Sequence, residues 1–173
     1  MSIRRGRRVA PARIRALLED LLEASTLCAI ATVSGSSAHV NTAYFAWGGD
    51  LRVIWLSDRD AAHSRNLRRN PSAAIAVFDS TQLWGDEDRG LQLFGRAREL
   101  AGSRADAARQ LYAGRFRRAE GHASRAYACY ELRPRRAKLF DERELGAGVF
   151  VTARIRGGGA VSWEQTDVYT TAA

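Results

Sequence analysis

The residues best suited to chemistry lie where an apolar segment gives way to a basic one. Ser57 ends the apolar run LRVIWLS, and His63, Ser64 and Arg65 begin the basic stretch HSRNLRRN that Pro71 closes. A hydroxyl at a strand end, followed by the N–H groups at a helix start, is a good receptor for an oxyanion. The side chains of His63, Ser64 and Arg65 add hydrogen bonds to phosphate oxygens. The pattern indicates a phosphate site, with a solvated helix face as the alternative.

Several other kinds of site are disfavoured by the sequence. No Ser-His-Asp arrangement or carboxylate pair stands out, which argues against a hydrolase, and neither GxGxxG nor GxxxxGK[ST] occurs. Cys28 and Cys129 lie far apart and outside any CxxC, so we expect neither a zinc site nor a disulfide framework and infer a reducing cytoplasm. No apolar run reaches membrane-spanning length.

The positive charge of the chain comes almost entirely from arginine. The formal net charge is +8, and Lys138 is the only lysine. The arginines are spread along the chain, and only Arg4 to Arg8 form a dense block. We rank a solvated arginine-rich surface first, an anionic small-molecule ligand second and nucleic acid third, since no RNP, zinc-finger or KH signature accompanies the charge.

The first third of the chain predicts a helix and an antiparallel meander. Residues 11–24 place five aliphatic side chains on one helical face. Apolar runs at 27–33, 38–47 and 51–57 predict strands, because SGSS and GGD separate them as turns. A short helix between residues 58 and 70 would begin with Asp58 or Asp60 as its N-cap.

The rest of the chain adds further strands and one helix. We predict strands at 72–79, 91–101, 124–134, 137–142 and 148–156, and a helix over 103–119 that starts at Ser103. Six or seven strands joined by short turns predict a mainly β fold with peripheral helices, in the form of a closed or partly closed antiparallel barrel. We divide the chain into a basic N-terminal arm (1–13), a barrel domain (14–156) and a C-terminal tail (157–173) that could form a lid or be disordered.

Four segments resemble the pyridoxamine 5′-phosphate oxidase-like family of FMN-binding split β-barrels. They are CAIATVSGSSAHVNTAYF (28–45), LRVIWLS (51–57), HSRNLRRNPSAAIAVF (63–78) and LQLFGRAREL (91–100). The order and spacing of the segments carry the resemblance, which covers roughly residues 14–150. It implies a six- to seven-stranded split β-barrel that binds FMN, and it suggests the small bacterial members of the superfamily.

The resemblance also implies an activity and a set of site residues. It implies an FMN-dependent oxidoreductase that acts on a small organic substrate, with NAD(P)H as a candidate electron donor, because the flavin carries the chemistry and the protein binds and orients it. Catalytic residues are not assigned, and Trp55 is interpreted as barrel core. Phosphate contacts are implied for Ser57, Ser64, Arg65 and His63, which stands where the family often has lysine. Ring contacts are implied for Asn41, Thr42, Ala43 and Gln92.

Alternatives stay open under the same resemblance. Related split barrels bind the deazaflavin F420 or haem, for which His39 and His122 are the candidate axial ligands, and a non-catalytic flavin-binding or flavin-sensing protein is a further reading. Pyridoxamine phosphate oxidation itself is not expected, since the family's C-terminal Arg-x-His arrangement is missing. Tyrosines 44, 127 and 130 are interpreted as core rather than proton donors.

The resemblance finally implies a homodimer with the cofactor at its interface. Five arginines are candidates to serve the pocket of the second protomer, with solvated surface as the alternative for most of them: Arg96, Arg98, Arg115, Arg117 and Arg118.

Overall fold

A computed structural model describes residues 2–117 and 127–170 of the chain. In these residues it has nine strands and four helices. Their order is β1 (Ser2–Arg5), α1 (Pro11–Ala24), β2 (Leu27–Ser34), β3 (Ser37–Trp47), β4 (Val53–Ser57), α2 (Ala62–Arg69), β5 (Ser72–Phe78), β6 (Arg89–Leu100), α3 (Gly102–Arg115), β7 (Ala128–Asp141), α4 (Glu142–Leu145), β8 (Val149–Ile155) and β9 (Val161–Thr170).

Six of the strands close into an antiparallel barrel. The sheet order is β1-β9-β8-β7-β4-β3-β2-β5-β6, and β6 pairs again with β7. The closed part is therefore β7-β4-β3-β2-β5-β6, and β8, β9 and β1 extend the sheet outward from β7. The predicted mainly β split barrel is confirmed.

Helix α1 covers one opening of the barrel with the face that the periodicity predicts. The five aliphatic side chains spaced along that face are buried, namely Ile14, Leu17, Leu18, Leu21 and Leu22. They join a core that includes Ile30, Phe45, Trp55 and Tyr130. Burial of each such side chain contributes about 1.5–3 kcal/mol, so this core is the main source of stability. A smaller apolar cluster lies between α3 and the outside of the barrel.

The sheet takes in residues from both predicted terminal segments. The N-terminal arm supplies β1, and the C-terminal tail supplies β9, which pairs with both β1 and β8. The two strands predicted at 124–134 and 137–142 form the single strand β7, in which the register with β6 shifts between Phe94 and Gly95. This bulge lets the strand continue past Pro134, which has no N–H to donate.

None of the helices within residues 2–117 and 127–170 is long and apolar enough to span a bilayer.

Candidate functional site

Helix α2 starts without a capping side chain, four residues after β4 ends at Ser57. Ala61 is its N-cap residue, and no side-chain hydrogen bond caps the first turn. The predicted cap at Asp58 or Asp60 is wrong, because the Asp58 carboxylate accepts from the Asp60 N–H at 2.7 Å instead. No side chain satisfies the first N–H groups of α2, so the positive end of its dipole is available to an anion.

The inward face of α2 is polar and buried. Ser64 Oγ donates to the Asp58 carbonyl at 2.7 Å, and Asn66 Nδ2 donates to Thr32 Oγ1 on β2 at 3.1 Å. His63 is only 6% exposed, and its ring meets Tyr130 edge-on at a centroid distance of 6.3 Å. These contacts fix α2 against the barrel. Arg65 is exposed on the other side of the helix, where its guanidinium donates to the Asp60 carbonyl.

Three polar atoms near this face are buried and have no hydrogen-bond partner in the described part of the chain: His39 Nδ1, Asn41 Oδ1 and His63 Nε2. Burial lowers the pKa of His63, and nearby His39 lowers it further, so the His63 ring is neutral at pH 7. It therefore offers a hydrogen bond rather than the fixed positive charge of a lysine. Buried polar atoms without partners are costly, so a ligand or water that pairs with them is favoured here.

Strand β3 places the predicted ring-contacting residues on two different faces, because side chains alternate along a strand. Asn41 and Ala43 lie opposite Ile30 and Cys28 of β2, whose side chains face the core. Thr42 lies opposite Ala29 on the outer face. The structure therefore does not bring all three residues to one surface.

Gln92 shares the outer face with Thr42 but is three strands away. The cross-strand row runs Thr42, Ala29, Ala76, Gln92 across β3, β2, β5 and β6. With neighbouring strands about 4.8 Å apart, the backbones of Thr42 and Gln92 are separated by about 14 Å. The predicted site residues thus form three groups: Ser57, His63, Ser64 and Arg65 around the start of α2, Asn41 and Ala43 on the core-facing side of β3, and Thr42 and Gln92 on the outer face.

The outer face of β2, β3 and β5 is apolar and exposed. Val40 is 63% exposed and Tyr44 57%, and Leu27 and Phe78 are about half exposed. Four alanines lie between them at outward positions: Ala29, Ala31, Ala74 and Ala76. We call this surface the apolar face. This surface was not among the predictions. Residues 27–33 are mostly apolar on both faces of the strand, however, which is typical of a strand that is covered on both sides.

The aromatic residues follow the predictions only in part. Trp55 and Tyr130 are fully buried and stacked at 5.6 Å, which confirms both as core. The prediction of core positions for Tyr44 and Tyr127 is wrong, since both are exposed. Tyr44 points outward on the apolar face, and its ring meets Phe116 edge-on.

Two of the arginines expected to serve a second protomer are engaged within their own chain. Arg115 donates to the carbonyls of Leu22, Glu23 and Ser25 at the end of α1, and Arg98 pairs with the buried Glu131 at 2.9 Å. Arg96 and Arg117 are exposed. Arg118 and His122 lie outside the described residues.

Solved structures with the same fold include proteins that carry different cofactors. A haem-binding protein from Mycobacterium smegmatis is 18% identical, with a TM-score of 0.71 over 90% of this chain and 61% of that one. A FAD-binding protein from Mesorhizobium loti is 13% identical, with a TM-score of 0.58 over 79% and 96%. A pyridoxinephosphate oxidase family protein from Clostridium acetobutylicum, related to general stress protein 26, is 13% identical, with a TM-score of 0.62 over 83% and 95%.

A match to a family model shows which protein family the chain belongs to. No protein with curated annotation matches the chain in sequence. The model described as pyridoxamine 5′-phosphate oxidase matches residues 14–141, which include the six-stranded barrel, α2, α3 and all but the first three residues of α1. The chain therefore belongs to the pyridoxamine 5′-phosphate oxidase family.

Proposed function

We propose that the protein is an FMN-dependent oxidoreductase that acts on a small organic substrate in the cytoplasm. The observation that carries the proposal is the uncapped start of α2, beside buried polar atoms that lack partners. FMN needs both features, because its phosphate seeks N–H donors and its ring edge seeks hydrogen bonds. The cytoplasm is proposed because Cys28 and Cys129 are buried free thiols.

The phosphate would lie at the start of α2. Its first N–H groups and the helix dipole favour a dianion, the Ser57 hydroxyl ends the preceding strand, and the Arg65 guanidinium is exposed close by. Ser64 would contribute its backbone N–H, since its hydroxyl is used by Asp58. His63, held neutral by burial, would donate or accept one hydrogen bond.

The ring would take hydrogen bonds from the polar atoms beside β3. Asn41 Oδ1 and His39 Nδ1 are the unpartnered groups there. Thr42 and Gln92 lie on the other face of the sheet, so they would not contact the same ring. A bound flavin supplies two-electron chemistry, so the chain itself needs to bind, orient and exclude water.

A second copy of the chain would complete the pocket. Contiguous apolar surface of this kind marks an interaction site in a protein that folds in water. A symmetric dimer would bury the apolar face of each protomer and bring Thr42 of one protomer towards the other. Sedimentation velocity tests this: Val40→Glu should give monomers, and Ile3→Glu, which adds the same charge at an exposed position on β1, should leave the dimer intact. Monomeric wild-type protein at micromolar concentration would contradict the dimer.

The oxidoreductase assignment is tested by the visible spectrum and by turnover. Protein reconstituted with FMN should show bound-flavin bands and should oxidise NAD(P)H in the presence of an organic acceptor. Arg65→Ala should weaken FMN binding, whereas Arg69→Ala, which removes an exposed arginine at the other end of α2, should not. A flavin that binds but is never reduced would leave a flavin-binding or flavin-sensing protein.

Haem binding is the second candidate function. His39 and His63 both carry a buried ring nitrogen without a partner, and a neutral imidazole is the form that binds iron. A Soret band on adding haemin that His39→Ala abolishes would support this candidate. Absorbance changes with F420 but not with FMN would instead assign the deazaflavin.

A further inference from the structure

Five arginines line one cavity beside the middle of β7 and the end of β8. The cavity has a volume of about 620 Å³ and lies between the β3–β4 turn, β7 and the loop at Gly157–Gly159. Its arginines are Arg52, Arg133, Arg135, Arg154 and Arg156, and Asp50 is its one acidic residue. We call it the arginine cleft. A small-molecule site of ordinary size has a volume in this range.

A bulge in β7 brings Arg136 to the same exposed face as Arg133 and Arg135 of the cleft. Gly95 pairs with Pro134 and Phe94 with Arg136, so Arg135 is the extra residue between them. Residues 133 and 135 share a face in any regular strand, and residue 136 would face the other way. Because Arg135 is an extra residue, Arg136 also faces outward, and all three arginines are exposed. The bulge therefore concentrates positive charge on one side of β7.

Cross-strand neighbours of β7 add charge of the same sign. Arg133 lies directly opposite Arg96 of β6, and Arg136 lies directly opposite Arg154 of β8. Like charges in directly opposed positions destabilise a sheet. A ligand of opposite charge bound beside these pairs would relieve the repulsion between them.

The carboxylates in reach do not neutralise the cleft. Arg133 shares the buried Glu131 with Arg98, and Arg154 pairs with Glu164 at 3.2 Å. Arg135 and Arg156 form no ion pair with any carboxylate in the described ranges. Arg52 forms an ion pair with Asp50, whose Oδ1 lies 3.6 Å from the Arg52 Nε. The positive charge of Arg135 and Arg156 is therefore left uncompensated among the described residues.

The walls of the cleft are held in place before any ligand binds. Arg15 on α1 donates to the carbonyl of Gly159 at 2.7 Å and also to the carbonyl of Gly49, so it ties both loops to one helix. Gly159 has a φ of +80°, and a Cβ there would lie 2.8 Å from Asp50 Cα. The two loops thus touch closely, and a rigid site loses little entropy when it binds.

We propose that the arginine cleft binds a small molecule through a diphosphate group. Guanidinium groups pair with phosphate oxygens in bidentate geometry, and five of them around one cavity suit more than one phosphate. The size of the cavity favours a small molecule over nucleic acid, which needs an extended stripe of charge and exposed aromatic platforms. The arginine cleft is separate from the candidate flavin site. The cleft lies at the Val53 end of β4, whereas α2 follows the Ser57 end of the same strand, about 13 Å away.

Isothermal titration calorimetry at an ionic strength of about 0.15 M tests the proposal with defined probes. Inorganic pyrophosphate and ADP should both bind with one site per chain, and orthophosphate and AMP should bind at least about tenfold more weakly. If ADP binds more tightly than pyrophosphate, the ligand is a nucleotide; if the two bind equally, the diphosphate alone is recognised.

The variant Arg135→Gln/Arg156→Gln should weaken pyrophosphate binding at least about tenfold without lowering the Tm, because neither arginine pairs with a buried acid. The control Arg4→Gln/Arg104→Gln removes the same charge outside the cleft and should bind pyrophosphate like wild type. Equal binding by the cleft variant, AMP binding as tight as ADP binding, or an oligonucleotide that pyrophosphate fails to displace would each overturn the proposal.

Discussion

Substitution of Gly95 by alanine tests the close approach of β6 and β7 at the bulge. A Cβ on Gly95 would lie 2.8 Å from the carbonyl carbon of Arg133 and 2.9 Å from Pro134 Cα, and closer still to the Arg133 oxygen. These are backbone atoms, so no side chain can rotate away. The two strands would have to separate, and the backbone hydrogen bonds beside the bulge would weaken.

The size of the effect follows from two opposing contributions. Overpacking of this kind costs about 3 kcal/mol at the upper end of its usual range. Replacing glycine by alanine restricts the unfolded chain and returns about 0.4–1 kcal/mol. We therefore expect Gly95→Ala to lower the free energy of unfolding by about 2 kcal/mol, which corresponds to a fall in Tm of about 4–8 °C for a domain of this size.

Urea denaturation and thermal unfolding measure this, with Gly114→Ala as the control. A Cβ at Gly114 would meet nothing within 4 Å, and the residue lies inside α3. There alanine should stabilise the protein by up to about 1 kcal/mol, because glycine is unfavourable in a helix. Opposite signs for the two variants are expected. Gly95→Ala as stable as wild type would refute the close approach and the register shift that depends on it.

Three further predictions concern buried side chains. Burial lowers the pKa of His63, so below pH 6.5 the unfolded state binds more protons than the folded state. The free energy of unfolding should therefore fall with pH there, by at most about 1.4 kcal/mol per pH unit. Urea unfolding of His63→Gln at pH 5 and pH 7 should lack this part of the pH dependence, and a pH dependence equal to that of wild type would contradict the prediction. Burial raises the pKa of Cys28 to about 12 and that of Cys129 to about 11, so both thiols stay protonated at pH 8. A thiol reagent at that pH should label the protein only after unfolding, and rapid labelling of the folded protein would be inconsistent with the structure. Arg115→Ala should lower the free energy of unfolding in urea by about 2 kcal/mol, because three carbonyls around the end of α1 lose a charged donor. Arg117→Ala, which removes an exposed arginine, should leave the free energy of unfolding almost unchanged, and equal effects of the two substitutions would contradict the prediction.

The sequence is most informative where side-chain periodicity reflects burial directly. Helix α1 and strands β2 to β5 lie within a few residues of their predicted bounds, because their apolar spacing matches the core that they cover. The sequence predicts two strands in place of β7, since Pro134 and the two arginines after it interrupt the alternating pattern. Only the pairing with Gly95 across the bulge makes the strand continuous.

The site could be predicted only in part. Ser57 and Arg65 stand at the start of α2 as expected, since strand, turn and helix follow each other in the chain. The burial of His63 and Ser64 was not predictable, because a helix with a polar inner face lacks the apolar periodicity that indicates burial. The arginine cleft was missed for another reason. Its members are distant in sequence and meet only when β4, β7 and β8 are neighbours.

Titration of FMN into the purified protein, followed by quenching of flavin fluorescence, shows whether the start of α2 holds a flavin phosphate. We expect saturation at one FMN per chain, with affinity at least about tenfold weaker in Arg65→Ala and unchanged in Arg69→Ala. Loss of FMN binding in monomeric Val40→Glu would place the cofactor at the dimer interface as well. The absence of saturable binding by the wild-type protein, or equal affinity in the Arg65→Ala and Arg69→Ala variants, would contradict a flavin phosphate at the start of α2.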